Sequence, residues 1–199
     1  MAESVTSGNF TFTATPIDGV IVVEARQFPD NRGVFAEAYK RCDFEAGGIT
    51  DDFVQENQSQ SKHGVLRGLH YQKNHPQSKL VRVLSGEAFD VAVDLRPESP
   101  TFGKWYGEVL SGENGRQLYI PHGCAHGILV LSDEAVFCYR ADDVYHPEDG
   151  AAIAWDDPDI GVEWPIAVGE VVLSQKDATN PGFKESFRSV CSAYLVEER

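Results

Sequence analysis

Lys79-Leu80-Val81-Arg82-Val83-Leu84-Ser85-Gly86-Glu87-Ala88-Phe89-Asp90-Val91-Ala92-Val93-Asp94-Leu95 reads as two strands separated by one glycine. In the second strand Phe89, Val91, Val93 and Leu95 alternate with Ala88, Asp90, Ala92 and Asp94. A period of two over eight residues is the mark of a strand with two unlike faces. Here one face is large and apolar and the other is small or acidic. Asp90, between two alanines, is placed to partner a buried cation or histidine.

Outward from this pair the same texture continues. Residues 10–13, 20–24, 33–39, 53–59, 105–110, 117–120, 127–131 and 135–140 are short apolar or alternating runs bounded by Gly, Pro, Asn and Asp, and residues 65–72 are strand-like. Along 53–59, Phe53, Gln55, Asn57 and Ser59 share a face. Helical signals are few. A short turn is expected over 43–46, before Gly47-Gly48. A C-terminal helix is expected where Phe183, Phe187, Val190, Cys191, Tyr194 and Leu195 repeat at helical spacing after Pro181-Gly182. About ten strands and one late helix predict a mainly β protein, a barrel or sandwich whose interior can hold a ligand.

The 199 residues suit one domain, and 42% hydrophobic content supplies a core. Seventeen basic against 31 acidic residues, a net charge of −14, argues against general binding to phosphate backbones. A local basic cluster for a small phosphorylated ligand remains compatible with it. No run approaches the ~20 apolar residues of a membrane helix, and residues 1–10 show no basic-then-apolar leader, so the expected compartment is the cytoplasm and no membrane partner is expected. Cys42, Cys124, Cys138 and Cys191 form no C-x-x-C pair, which fits scattered thiols in a reducing compartment.

Six histidines are candidates for chemistry: His63, His70, His75, His122, His126 and His146. His70, in Leu66-Arg67-Gly68-Leu69-His70-Tyr71-Gln72, sits beside an arginine and a glycine that permits close approach. A satisfied structural histidine is the alternative. Arg67 and His70 are three apart, so a regular strand sends them to opposite faces, and a pocket holding both requires an irregularity, such as a bulge at Gly68.

The segment Gly115-Arg116-Gln117-Leu118-Tyr119-Ile120-Pro121-His122-Gly123-Cys124-Ala125-His126 has the spacing Gly-x5-Pro-x-Gly-x-x-His, which resembles the second motif of the cupin superfamily. That resemblance implies a cupin-type double-stranded β-helix, a jelly-roll barrel, with His126 pointing inward. The His-x-His pair of metal-binding cupins is missing: Tyr71 and Gln72 follow His70. No metal and no other cofactor is expected.

Eight further pieces occur in order: Phe28-Pro29-Asp30-Asn31-Arg32-Gly33, Phe53-Val54-Gln55-Glu56-Asn57, Leu66 through Gln72, Lys79-Leu80-Val81-Arg82-Val83, Gly86 through Arg96, Ser99-Pro100-Thr101-Phe102-Gly103, Ile160-Gly161-Val162-Glu163-Trp164-Pro165 and Leu173-Ser174-Gln175-Lys176-Asp177. Together they resemble the dTDP-4-dehydrorhamnose 3,5-epimerase family, from about Ile17 to Asp177. The resemblance implies cofactor-independent proton abstraction and return at C3 and C5 of dTDP-4-dehydro-6-deoxy-D-glucose. The product would be dTDP-4-dehydro-L-rhamnose, in dTDP-L-rhamnose biosynthesis. It implies His70 as base, Asp177 as the carboxylate that holds its tautomer, Tyr139 as the acid on the opposite face, and Lys79 as the cation near the enolate. Asp90 supports them, and His126 lines the cavity. Arg32, Glu37, Gln55, Asn57, Arg67, Tyr145 and Lys176 are implied in substrate binding, with Tyr145 stacking on thymine and Arg32 and Glu37 acting across a homodimer interface. From residue type alone, Lys79 reads rather as a solvated charge and Asp177 rather as a turn cap, and Tyr139 reads as well as a core aromatic.

Two positions depart from the family pattern: Gly150 stands where relatives often carry Glu, and Val144 where a second aromatic is frequent. A single domain over 1–199 is expected, with 178–199 as a helical extension. Two alternatives remain open: a single-carbon epimerase of a related deoxysugar pathway, and a non-catalytic cupin that binds sugar nucleotides.

Overall fold

The computed structural model describes residues 3–187. The strands are β1 (Ser4–Ser7), β2 (Phe10–Ala14), β3 (Ile21–Ala25), β4 (Gln27–Asp30), β5 (Gly33–Ala36), β6 (Gln55–Lys62), β7 (Leu66–Gln72), β8 (Lys79–Ser85), β9 (Glu87–Asp94), β10 (Trp105–Ser111), β11 (Arg116–Ile120), β12 (Cys124–Val130), β13 (Glu134–Ala141) and β14 (Gly150–Ala152), with one short helix, α1 (Arg41–Ala46). They form a seven-stranded sheet in the order β1-β2-β3-β11-β8-β13-β6, a five-stranded sheet β10-β9-β12-β7-β14, and a separate hairpin β4-β5. This is the mainly β, cupin-type sandwich expected, with few helices. A 3-10 turn at Asp177–Thr179 and a helical stretch at 183–187 follow; the rest of the C-terminal helix expected within 178–199 lies outside the described residues.

The two large sheets face each other across a core of Val22, Val81, Val83, Ala88, Ala92, Leu110, Leu118, Ile120, Ile128, Val130 and Phe137. Each Val, Leu, Ile or Phe buried there contributes about 1.5–3 kcal/mol. The alternation of β9 resolves in an informative way. Its small face, Ala88 and Ala92, looks between the sheets, whereas Val91 and Val93 pack on the outer side with Leu69, Ala125, Ile153 and Ile160. The chain after β14 covers this outer side, so the large apolar face is buried as well. Small inward residues leave interior volume that large ones would fill, and Asp90 stands within it, fully buried.

The outer side of the seven-stranded sheet is closed by α1 and its flanks, through Phe10, Phe12, Phe44, Ile49 and Leu80. Phe44 meets Phe10 and Phe12 edge to face, at centroid distances of 5.0 and 5.3 Å, a favoured aromatic geometry. The helix starts two residues earlier than the 43–46 expected from sequence.

The irregularity required at Gly68 is present. His70 pairs with His126 while Arg67 pairs with Ile128, so three steps along β7 oppose two along β12. That extra residue turns Arg67 back onto the face that carries His70. Gly68 has φ +154°, and a Cβ on it would lie 2.6 Å from the Gly127 Cα. The bulge therefore needs glycine at 68 on conformational and steric grounds.

Candidate active site

The inter-sheet space is apolar at its centre and becomes polar in a cavity of about 300 Å³. β7 contributes Arg67 and His70, β8 Lys79, β12 His126, β13 Phe137 and Tyr139, β6 Asn57, Gln58 and Ser59, and the turn after residue 173 contributes Asp177. A larger cavity, about 460 Å³, adjoins it at Lys79 but contains neither His70 nor Asp177.

His70 Nε2 is 2.5 Å from Asp177 Oδ1. Asp177 is 5% exposed, so this contact is shielded from water on the carboxylate side. With Nε2 committed to the carboxylate, Nδ1 is the nitrogen free to take a proton. Burial pushes the imidazole below its ordinary value of 6.5; the charges of Lys79 and His126 act in the same direction and Asp177 opposes them. The ring is thereby held neutral and basic near pH 7.

Tyr139 comes from the facing sheet. Burial raises its phenol above the ordinary value, with Asn57 opposing. It stays protonated at neutral pH and can donate. Asn57 lies directly opposite Tyr139 in the β13–β6 register. Lys79 Nζ is 5.7 Å from the Tyr139 ring centroid. Burial lowers the ammonium to about 8, and Asp90 holds it from falling further. Asp90 Oδ2 pairs with His126 Nε2 at 2.9 Å, which bears out the partner expected on the small face of β9. His126 also stacks on Phe137, at a centroid distance of 5.9 Å. Arg67 reaches Ser61 Oγ with Nε and Nη2 at 3.3 and 3.1 Å.

Other expected residues lie outside this cavity. Gln55 is one step removed: its Nε2 donates to Asn57 Oδ1 at 3.2 Å, and its Oε1 accepts from the Tyr145 backbone N–H at 3.0 Å. It joins Asn57 to the Tyr145 backbone and is not itself among the residues that line the cavity. Tyr145 is half exposed. Arg32 sits at the tip of the β4-β5 hairpin, exposed and paired with Asp30. Glu37 accepts from Asn9 Nδ2 at 3.1 Å. Lys176 is exposed in the turn before Asp177. Within one chain none of Arg32, Glu37 and Lys176 reaches the cavity. Near Gly150, Asp149 is buried and accepts from the Asn74 and His75 backbone N–H groups, so it does not stand in for the missing glutamate. Ser59, a cavity residue not singled out from sequence, shares the β6 face of Asn57 and was reachable by alternation.

A family model described as dTDP-4-dehydrorhamnose 3,5-epimerase matches residues 14–185, beyond the Asp177 limit of the sequence motifs. The dTDP-4-dehydrorhamnose 3,5-epimerase of Methanothermobacter thermautotrophicus is 50% identical over 169 residues, 84% of this chain and 91% of the relative. That of Pseudomonas aeruginosa is 50% identical over 175 residues, 87% and 96% of the two chains. Among solved structures, a dTDP-6-deoxy-D-glucose-3,5-epimerase from Legionella pneumophila in complex with dTDP-4-keto-L-rhamnose superposes with a TM-score of 0.85 at 49% identity, covering 88% of this chain and 93% of that one. The match spans nearly all of the sandwich and every strand that lines the cavity, and the chain belongs to the dTDP-4-dehydrorhamnose 3,5-epimerase family.

Proposed function

We infer that this chain is a dTDP-4-dehydrorhamnose 3,5-epimerase acting on dTDP-4-dehydro-6-deoxy-D-glucose. The observation that carries the reading is an imidazole, oriented by a buried carboxylate, facing a phenol and an amine contributed by the opposite sheet. His70 Nδ1 removes the proton beside the C4 ketone. The electron pair moves onto the carbonyl oxygen, and Lys79, still cationic at neutral pH, stabilises the enolate. Tyr139 returns a proton from the other face, inverting the carbon. The ketone is itself the electron sink, so the step balances without a redox partner. A base and an acid on facing sheets favour inversion over a binding role, and relatives about 50% identical that carry the name 3,5-epimerase favour double over single epimerisation.

Incubation with the keto sugar in deuterated water, followed by NMR, tests the reading. Deuterium and inversion at both C3 and C5 are expected. Incorporation and inversion at one carbon would establish the single epimerase, and no exchange with nucleotide bound would leave a binding protein.

The pH dependence has a worked sign. The base is active when neutral, so kcat/KM should fall as pH drops through the depressed His70 value, below ~6.5. The ammonium is active when charged, so activity should also fall as pH rises through about 8. Asp90→Asn removes the charge that holds Lys79 up, and the alkaline limb should move to lower pH. An alkaline limb unmoved in that variant would assign it to another group.

Arg67 and Lys176 suit pyrophosphate or sugar contacts, and Tyr145 suits thymine stacking. Arg32 and Glu37 reach a nucleotide only if a second copy brings them. The β4-β5 hairpin supports such a homodimer. Phe28, Val34 and Phe35 are 37%, 61% and 72% exposed, and a two-stranded hairpin is marginal without something to pack on. Phe35→Asp should shift sedimentation from dimer to monomer and raise KM with the sandwich still folded. A wild-type chain that is monomeric at micromolar concentration would overturn the shared site. Cys42, Cys124 and Cys138 are unpaired, which supports the cytoplasmic compartment. Among the described residues no helix is long and apolar enough to cross a membrane.

A further inference from the structure

The turn before Asp177 holds a hydroxyl whose hydrogen bonding exceeds what a turn needs. The Ser174 hydroxyl donates to Asp177 Oδ2 at 2.7 Å, and the Asp177 backbone N–H donates to Ser174 Oγ at 3.0 Å. The Ala178 N–H closes the turn on the Ser174 carbonyl at 3.0 Å. Asn180 Nδ2 donates to the Gly68 carbonyl at 3.3 Å, tying the same turn to the bulge of the strand that carries His70. The two oxygens of Asp177 are thus divided: Oδ1 faces His70 and Oδ2 is held by Ser174. No other described residue donates a hydrogen bond to Oδ2.

Turn formation uses only the acceptor side of the serine hydroxyl, and alanine with the same backbone would still close the Ala178–Ser174 bond. The donor side goes to a buried carboxylate, a charge-assisted contact stronger than a neutral one. A carboxylate rotates easily about its last torsion. Held at one oxygen only, it can swing its plane away from the imidazole, and a misplacement of an ångström or less is enough to slow a proton transfer.

We propose that Ser174 is a positioning residue: its hydroxyl locks the Asp177 carboxylate in the orientation that holds His70 for proton abstraction. The inference rests on the reading of His70 as the base. Ser174→Ala, Ser174→Thr and Ser174→Cys test it with two readouts, steady-state turnover of the keto sugar and NMR titration of the His70 ring without substrate. Ser174→Ala should lower kcat roughly ten- to a hundredfold with KM changed by less than about twofold. The His70 titration should move to lower pH, because Asp177, which raises it, no longer faces it squarely. Ser174→Thr keeps the hydroxyl and should retain most of kcat and the wild-type titration. Ser174→Cys, with a weak S–H donor, should fall between and carries the test if the alanine variant unfolds. Wild-type titration and kcat in the alanine and cysteine variants, or a threonine variant as impaired as alanine, would overturn the proposal. Failure of the wild-type chain to exchange substrate protons would instead overturn the reading of His70, and the ring titration would still report on Ser174.

Discussion

His70→Asn should leave a folded protein that binds dTDP with nearly unchanged affinity and turns over the keto sugar about 10³-fold more slowly, within the roughly 10²–10⁴ contributed by a positioned base. Asparagine is the informative replacement. Its side-chain amide can still donate to Asp177, whose carboxylate is 5% exposed and would otherwise lose the imidazole contact. A buried acceptor deprived of its donor costs about 1–3 kcal/mol, so alanine would mix a stability loss into the kinetic result. The amide has no basic nitrogen, so what remains is the electrostatics of Lys79 and Arg67 with the base removed. Deuterium incorporation by NMR measures the chemical step, and calorimetric titration with dTDP measures binding. Exchange at C3 or C5 near the wild-type rate would show that another group abstracts the proton. Loss of dTDP binding in a folded variant would move His70 into substrate recognition.

Much of the sandwich was legible because strand alternation is a local property. The bounds of β8 are those expected, and those of β9, β10, β11 and β13 differ by a residue. What alternation does not carry is which face of a strand looks inward. On β9 the large residues invite the interior assignment, yet they pack under residues that follow β14, while the alanines look between the sheets and Asp90 reaches His126. That choice is made by chain dozens of residues away. The strands without a local signal were missed. β14, Gly150–Ala152, has no β-branched or aromatic residue, and β4 contains Pro29, which demotes a strand. Both exist because a partner offers them hydrogen bonds: β14 pairs with Tyr71 and its neighbours, and β4 with β5.

The site divides along the same line. His70, Arg67, Lys79, Tyr139, Asn57, Asp90 and His126 lie on strands, and face assignment plus one bulge brings them together. The bulge could be required in advance because Arg67 and His70 violate alternation across a glycine. Asp177 was reachable only through family resemblance, because a carboxylate 107 residues along the chain from its histidine leaves no local mark. Ser174 was harder still: its role depends on which side of its hydroxyl the carboxylate occupies. Arg32 and Glu37 show the limit of what one chain explains: Arg32 is exposed and paired with Asp30, Glu37 is held by Asn9, and neither lines the cavity.

Lys79→Met should lower kcat by about 10²–10³, the usual loss for a preorganised group at a developing oxyanion, without lowering the melting temperature. Methionine matches the length of the lysine stem and suits a buried site. The kinetic expectation follows from position: Lys79 shares the cavity with His70 and Tyr139, its Nζ 5.7 Å from the Tyr139 ring centroid. The stability expectation follows from linkage. Lowering the ammonium from 10.5 to about 8 means that folding disfavours its charged form, at a cost of roughly 3 kcal/mol. The cost is present in full below pH about 8 and fades as pH rises toward 10.5, where the unfolded chain also releases the proton. Methionine removes it at every pH. Against this gain stands Asp90, fully buried with Oδ1 unpartnered among the described residues, which loses its nearby cation. The two effects oppose each other, so the melting temperature should hold near pH 7 while turnover collapses. A variant that loses turnover and melts well below the wild type would make Lys79 a structural counter-ion for Asp90. One that keeps both would take the enolate-stabilising charge away from Lys79 and leave Arg67 as the cation of the cavity.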